Sequence, residues 1–453
     1  MWVPTEPVRV PVGRWVDPAA VWALLAAEHR HLVWSDRRTA PTDRVDFIGV
    51  PRSAADLLAP GPGAVLTELC DRLRRGLPAV RSARLGWWGW FGYELGTTSH
   101  DVDAPPADQP EAAFLLAARG VELDHDRRRV DVVALPGDEA WAERTAARLD
   151  ALPPAAHPSS PPTSTATWRL DRTAYLRAID VCLAAIRSGD AYQLCLTNRV
   201  TVRSPAPIDD GDLLRRLRAT DRSEHAGVVR FGDWSLVSTS PESFLHVDPQ
   251  GRATTRPIKG TRPRGVHVAE DERFAAELLA SDKERAENLM IVDLMRNDLS
   301  RVAQVGSVEV VRLFEVERLA AVHHLVSTVT AQLAGDALTA VPALFPAGSM
   351  TGAPKRSAMQ HLARLEAGPR AVYSGAWGRI SGDGSLDLAV VIRSAVVRGT
   401  ESTIGTGGGI TAQSDPAAEW DEIVLKAAPL LRALGVGRDD EVRTPLGRPD
   451  LTR

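Results

Sequence analysis

Cysteine is scarce in this chain: three in 453 residues, Cys70, Cys182 and Cys195, with no CxxC spacing among them. That scarcity argues against a disulfide framework and against a cysteine zinc site. Runs dense in lysine and arginine are missing, and the formal net charge is only −4. Nothing electrostatic therefore points to nucleic acid. Long apolar runs are missing too. The longest near the N-terminus, Ala19–Ala27, is about half of a membrane span. Met1–Trp15 holds no apolar core of signal-peptide length. No repeat or heptad pattern emerges. What remains is an ordinary composition, 44% hydrophobic and 25% charged, with material for a large core. These features together predict a cytoplasmic enzyme acting on a small molecule.

One break in composition divides the chain. Residues Pro153–Thr167 (PPAAHPSSPPTSTAT) offer almost nothing to bury and predict an exposed linker. It separates an N-terminal region, 1–152, from a motif-dense region, 168–435; the tail, 436–453, is expected to fray. Past the linker, Ile179, Cys182, Leu183 and Ile186 recur at helical spacing, with Gly189 placed to end the helix. Tyr192, Leu194, Leu196, Val200 and Val202 then alternate with polar residues, a half-buried strand carrying Gln193 on its polar face. Further strands are expected at Gly227–Phe231, Ser235–Thr239, Val308–Leu313, His323–Ala331, Leu388–Val397 and Thr403–Gly405. Helices are expected at Asp271–Ala280, Lys283–Leu299, Pro354–Glu366 and Pro416–Leu434, the prolines sitting where a first turn tolerates them. Strands in runs with helices interspersed predict an α+β fold with mostly antiparallel sheets.

Several residues carry chemical potential. Glu284 and Glu287, and again Glu419 and Glu422, are three apart, which puts each pair on one helix face. Two such faces could hold Mg²⁺, which takes oxygen ligands; solvated faces with Lys and Arg partners are the alternative. The run Gly405-Thr406-Gly407-Gly408-Gly409 lacks the GK[ST] of a phosphate loop, so it is either a plain turn or a backbone approach to an anion. His323 and His324 are adjacent and must face opposite sides of their strand. Arg393 falls within the apolar stretch Leu388–Ala395, where a guanidinium requires an anionic partner. Lys259, between Pro257-Ile258 and Gly260, is either a nucleophile in an apolar turn or a surface lysine.

Read in order, ten segments resemble one family. They are GWWGWFGYELG (86–96), GDAYQLCLTNR (189–199), SPESF (240–244), PIKGTRPRG (257–265) and DKERAENLMIVDLMRNDLSRV (282–302), followed by HHLVS (323–327), FPAGSMTGAPK (345–355), YSGAWGRIS (373–381), DLAVVIRSA (387–395) and GTGGGITAQSDPAAEWDEIVLKA (405–427). They are similar to the chorismate-binding enzymes, which include anthranilate synthase component I, aminodeoxychorismate synthase component I, and the isochorismate and salicylate synthases. The likeness is nearly continuous over 170–434 and patchier before the linker. It implies a large α/β sandwich, two packed sheets with helices outside, and a Mg²⁺-dependent chorismate cleft.

Carried over residue by residue, the resemblance makes Glu287 and Glu422 the Mg²⁺ ligands, supported by Glu284 and Glu419. Tyr373 and Arg393 would hold the enolpyruvyl carboxylate. Gly407 and Gly409 would offer backbone donors, while Ser349, Thr351 and Lys426 would line the cleft. Glu242 would be the general acid, and His324 the histidine beside the ring. Lys259 stands where anthranilate synthases have alanine, and Gln193 where water-using members have a lysine base. The pair implies the aminodeoxychorismate synthase branch: amination of chorismate at C4 with pyruvate retained, Lys259 acting as nucleophile. Anthranilate synthase activity is the alternative, and a non-catalytic chorismate-binding scaffold is the third reading. No Gly-x-Cys-x-Gly elbow of a glutaminase is present, so a separate glutamine amidotransferase subunit is expected to deliver ammonia. The tryptophan-binding LLES signature of feedback-inhibited members is not evident, its nearest counterpart being Leu32-Val33-Trp34-Ser35-Asp36.

Overall fold

A computed structural model describes residues 4–318 and 322–437. Two antiparallel sheets, of twelve and ten strands, pack face to face, and helices cover their outer faces. Alternation along single strands builds these layers. In Gly86–Phe91, Trp88 and Trp90 point into the core between the sheets, while Trp87 and Phe91 point out towards the helices. Phe47 of the larger sheet stacks on Trp88 of the smaller at 5.7 Å. Strands from the first 150 residues enter both sheets, His31–Asp36 and Val45–Val50 in the larger, Gly86–Phe91 and Ala112–Ala117 in the smaller.

The proline-rich segment divides in two. Residues 153–164 carry no helix or strand and are tied to helix Asp210–Arg218, where Ser159 donates to Asp212 and accepts from Arg216. Its last residues do not belong to a linker: Thr165–Trp168 is a strand paired with Gln193–Arg203. Beyond Gly437 the expected tail lies outside the described residues.

The helices and most strands fall where periodicity puts them. Helix Arg172–Arg187 ends at Ser188, with Gly189 at φ +86°. Strands Gln193–Arg203, His225–Phe231, Trp234–Ser240, Glu309–Arg318 and Val322–Gln332 form, as do helices Val268–Ala280 and Lys355–Leu365. Two expectations need correction. Leu388–Val397 is not one strand: Leu386–Val390 belongs to the smaller sheet and Ser394–Arg398 to the larger. Arg393 therefore sits at a crossover between sheets, at φ +50°, and not within a strand. The glycine run is no turn either. It lies inside strand Glu401–Ile410, paired with Gln193–Arg203 along its whole length.

Candidate active site

The chain passes between the sheets at two neighbouring places, and these open the cleft. Glu242 lies between Trp234–Ser240 of the larger sheet and Ser243–Val247 of the smaller; Arg393 lies on the return path. Backbone bonds lock the crossovers together, with Val390 donating to the Glu242 carbonyl (3.0 Å) and Thr239 to the Arg393 carbonyl (3.1 Å). Next to them, strand Glu401–Ile410 loses one neighbour. Its pairing with Ser394–Arg398 ends at Ile404, whereas the pairing with Gln193–Arg203 runs on to Ile410. Gly405–Ile410 thus presents one backbone edge with no strand partner among the described residues, which suits Gly407 and Gly409 as donors.

Lys259 reaches this space from strand Ile258–Pro263, where a bulge between Lys259 and Thr261 is made by Gly260 at φ +79°. Glycine takes that conformation without steric cost, and a bulge re-aims the neighbouring side chain. Lys259 Nζ lies 3.8 Å from a Glu287 carboxylate oxygen. A methyl group built on Gly409 would stand 2.7 Å from Gln193 Nε2 and 3.2 Å from Lys259 Nζ, so both side chains converge over one glycine. Gln193 is fully buried, and neither its amide nitrogen nor its oxygen has a hydrogen-bond partner. A buried primary amide left unpaired is costly and marks a site awaiting polar company.

The two glutamate pairs arrive on helix N-termini. Helix Asp282–Ser300 is capped by Ser281, which accepts from Glu284 N, and helix Pro416–Ala433 by Asp415, which accepts from Ala418 N. Glu284 packs beside Gly260, and Glu419 and Glu422 beside Gly408. Burial pushes the Glu287 carboxyl up, Lys259 and Lys283 pull it back, and Glu284 and Glu419 add to the rise. Burial also raises Glu419, opposed by Ser414 and reinforced by Glu422. Burial works against the charge of Glu422, but Lys426 at 2.5 Å holds this carboxyl below its usual range. The two helix faces therefore feel one another across one cleft. Among the described residues no three such side chains form a closed metal cage. A hard divalent cation needs less, because it keeps water and substrate oxygens around one or two carboxylates. Glu287 fits that part: its Oε1 is buried without a hydrogen-bond donor.

Glu242 is 9% exposed and accepts from the Ser349 hydroxyl at 2.6 Å. Burial raises its pKa against the pull of Ser349, Lys259 and Lys426, as a general acid requires. Lys426 joins the Glu422 carboxylate to the Gly407 carbonyl (2.8 Å). Thr351 departs from expectation. It is fully buried, and its hydroxyl turns back to the carbonyls of Ala347 and Gly348 instead of facing the cleft. Arg393 donates to the Lys426 carbonyl (3.3 Å) and meets no carboxylate within ion-pair range among the described residues. Its charge is available to an anionic ligand.

The two histidines divide as their strand demands. His323 is fully buried against Asp271 at 2.9 Å, while His324 sits near Arg393 with Nδ1 unpaired. Burial, then the Arg393 charge, pushes His324 down to about 4 from 6.5. A histidine NMR titration of the ligand-free protein should place its midpoint near that lower value; a midpoint at 6.5 would refute the environment described. The unfolded chain takes up this proton first, so the group's contribution to stability erodes as pH falls from 6.5 towards about 4. Tyr373 lays its ring on Gly405, where a Cβ would come within 2.0 Å of the ring. Gly405→Ala is expected to cost about 1–3 kcal/mol by overpacking. Urea unfolding checks this, an unchanged midpoint counting against the contact.

Sequence reading overlooked several supports. Asn288 accepts from Ser327 (2.5 Å) and donates to the Leu325 carbonyl (3.3 Å), clamping the Glu287 helix to the strand that flanks Lys259. Lys355 is buried on Asp298 (2.7 Å) and on the carbonyls of Leu344 and Pro346, below the Ser349 turn. Its place at the end of FPAGSMTGAPK was the available signal.

Comparison with known proteins places the chain's likeness in one family and one fold. A family model described as chorismate binding enzyme matches residues 50–432. An aminodeoxychorismate synthase of Streptomyces griseus is 43% identical over 83% of this chain; the match takes up 54% of that relative, so the chain spans about half its length. Anthranilate synthase component 1 of Streptomyces coelicolor is 39% identical over 83% of this chain and 78% of its own. The crystal structure of anthranilate synthase component I from Streptococcus pneumoniae TIGR4 superposes with a TM-score of 0.71 at 27% identity, covering 83% of this chain and 91% of that one. No described helix is long and apolar enough to cross a membrane.

Proposed function

The chain belongs to the chorismate-binding enzymes, and from that membership we propose that it aminates chorismate at C4, yielding 4-amino-4-deoxychorismate and water. The observation that carries this reading is Lys259 in the cleft, beside Glu287 and over the same glycine as Gln193. Mg²⁺, held by Glu287 and Glu422 with Glu284 and Glu419 behind them, would supply charge neutralisation for a substrate carboxylate. Arg393 and Tyr373 hold the enolpyruvyl carboxylate, the guanidinium through paired hydrogen bonds.

Glu242 gives its proton to the C4 oxygen, which leaves as water while Lys259, reacting as its neutral amine, bonds through Nζ to C2 and both ring double bonds shift, C1=C2 to C1=C6 and C5=C6 to C4=C5. Ammonia then bonds to C4, both double bonds return to C1=C2 and C5=C6, and the Lys259 amine leaves C2. The surplus proton of the new C4 ammonium restores Glu242. Two displacements relayed through the conjugated diene replace one difficult substitution. Gln193 is an amide and no base, so water at this position goes unactivated. His324, kept neutral, lies beside the ring without charge. Ammonia would come from a glutamine amidotransferase, and the cytoplasm is the expected setting.

Incubating the chain with chorismate, Mg²⁺ and ammonium tests the proposal. Mass spectrometry should find 4-amino-4-deoxychorismate; fluorescent anthranilate with released pyruvate would overturn it in favour of C2 amination.

A further inference from the structure

A buried ionic group outside the cleft touches three of the backbone segments that line it. Arg370 is 5% exposed, yet all five of its N–H donors are used. Two go to Glu366 (2.7 and 2.8 Å), one to the Met350 carbonyl (2.6 Å), one to the Cys195 carbonyl (2.8 Å) and one to Ser374 Oγ (3.4 Å). Glu366 also accepts from Thr197 N (2.9 Å), and the Tyr93 ring covers the guanidinium at 4.3 Å. A second carboxylate, Glu94, accepts from the backbone nitrogens of Arg370 (2.8 Å) and Ala371 (3.3 Å).

Three of these contacts adjoin cleft residues. Met350 lies next to Ser349, Cys195 and Thr197 lie on the Gln193 strand, and Ser374 follows Tyr373. The Tyr373 turn is itself strained, with Ala371 at φ +58° and Ser374 at φ +64°, both in the region where only glycine is at ease. Such backbone persists only where its surroundings over-determine it. Stability alone gives little reason for a buried ion pair here, because well-packed apolar side chains commonly do as well.

We propose that the buried Glu366–Arg370–Glu94 triad is a positioning device that sets the affinity of the cleft for chorismate. It holds the Tyr373 turn, the Ser349 turn and the Gln193 strand in one mutual register. The inference rests on the proposed function only in taking chorismate as the ligand, whatever the aminated product.

Arg370→Lys keeps the charge but loses the planar fork that joins the segments. With Mg²⁺ and saturating ammonium, its KM for chorismate consumption is expected to rise at least about tenfold, with kcat per folded molecule within about threefold. A KM within about twofold of the wild type, with damage confined to Tm or to the folded fraction, would overturn the triad's role. Ala371→Gly keeps the triad and relaxes the strained turn, which covers the case in which Arg370→Lys does not fold. It should raise KM by about three- to fivefold with Tm unchanged or higher, because a freer turn loses preorganisation. An unmoved KM in that variant also overturns the proposal. A wild-type chain that neither binds nor consumes chorismate would instead sink the function, a result distinguishable from either variant's failure.

Discussion

Lys259→Ala is expected to lower formation of 4-amino-4-deoxychorismate by on the order of 10²-fold or more, about 2.7 kcal/mol of barrier. The loss should fall on kcat, because the lysine bonds to the ring only during the reaction, while the Mg²⁺ and carboxylate contacts remain. Alanine also removes the Nζ that lies 3.8 Å from Glu287 and leaves Gln193 as the polar neighbour over Gly409. A lysine needed only for charge would be rescued by Lys259→Arg, since guanidinium keeps the charge but is not a nucleophile at neutral pH. The nucleophile assignment therefore requires both variants to lose turnover and any chorismate adduct detectable by intact-protein mass spectrometry. Wild-type turnover in Lys259→Arg would remove Lys259 from the covalent role.

How much of this was readable in advance follows from where each signal lives. The glutamate pairs were legible because helical spacing alone puts Glu284 with Glu287 and Glu419 with Glu422. The histidines were legible because a strand sends neighbours to opposite faces. The crossover at Arg393 was not, since both Leu386–Val390 and Ser394–Arg398 are buried on two faces and read as one apolar run. The sheet exchange that opens the cleft is tertiary information. The glycine run stayed open between a turn and a backbone approach to an anion for a related reason: its glycines make room for Tyr373, Gln193 and Lys259, which only the fold brings against it. Arg370 is the extreme case, its partners Cys195 and Glu94 standing 175 and 276 positions away. No periodicity carries such a network.

Glu287→Gln is expected to produce opposite effects in the presence and absence of Mg²⁺. In the metal-free chain Glu287 is a buried carboxylate with an unpaired oxygen, raised by burial and by its Glu284 and Glu419 neighbours. Removing its charge should lift the metal-free Tm by about 1–3 °C, as relief of roughly 1 kcal/mol does in a chain of this size. The same change should abolish the Tm rise on adding Mg²⁺ with chorismate and weaken Mg²⁺ binding in calorimetry by about 100-fold or more, since outer-shell changes alone cost 10–100-fold. Glu422→Gln should weaken the metal similarly without the gain in metal-free stability. Its carboxylate is held below the usual range by Lys426 at 2.5 Å, so glutamine removes an attraction and leaves Lys426 without its carboxylate partner. The shared loss of Mg²⁺ affinity marks both carboxylates as ligands, while the opposite metal-free stabilities reflect their different neighbours. Retained Mg²⁺ affinity in both would exclude these helices as the metal's ligands, whatever became of activity.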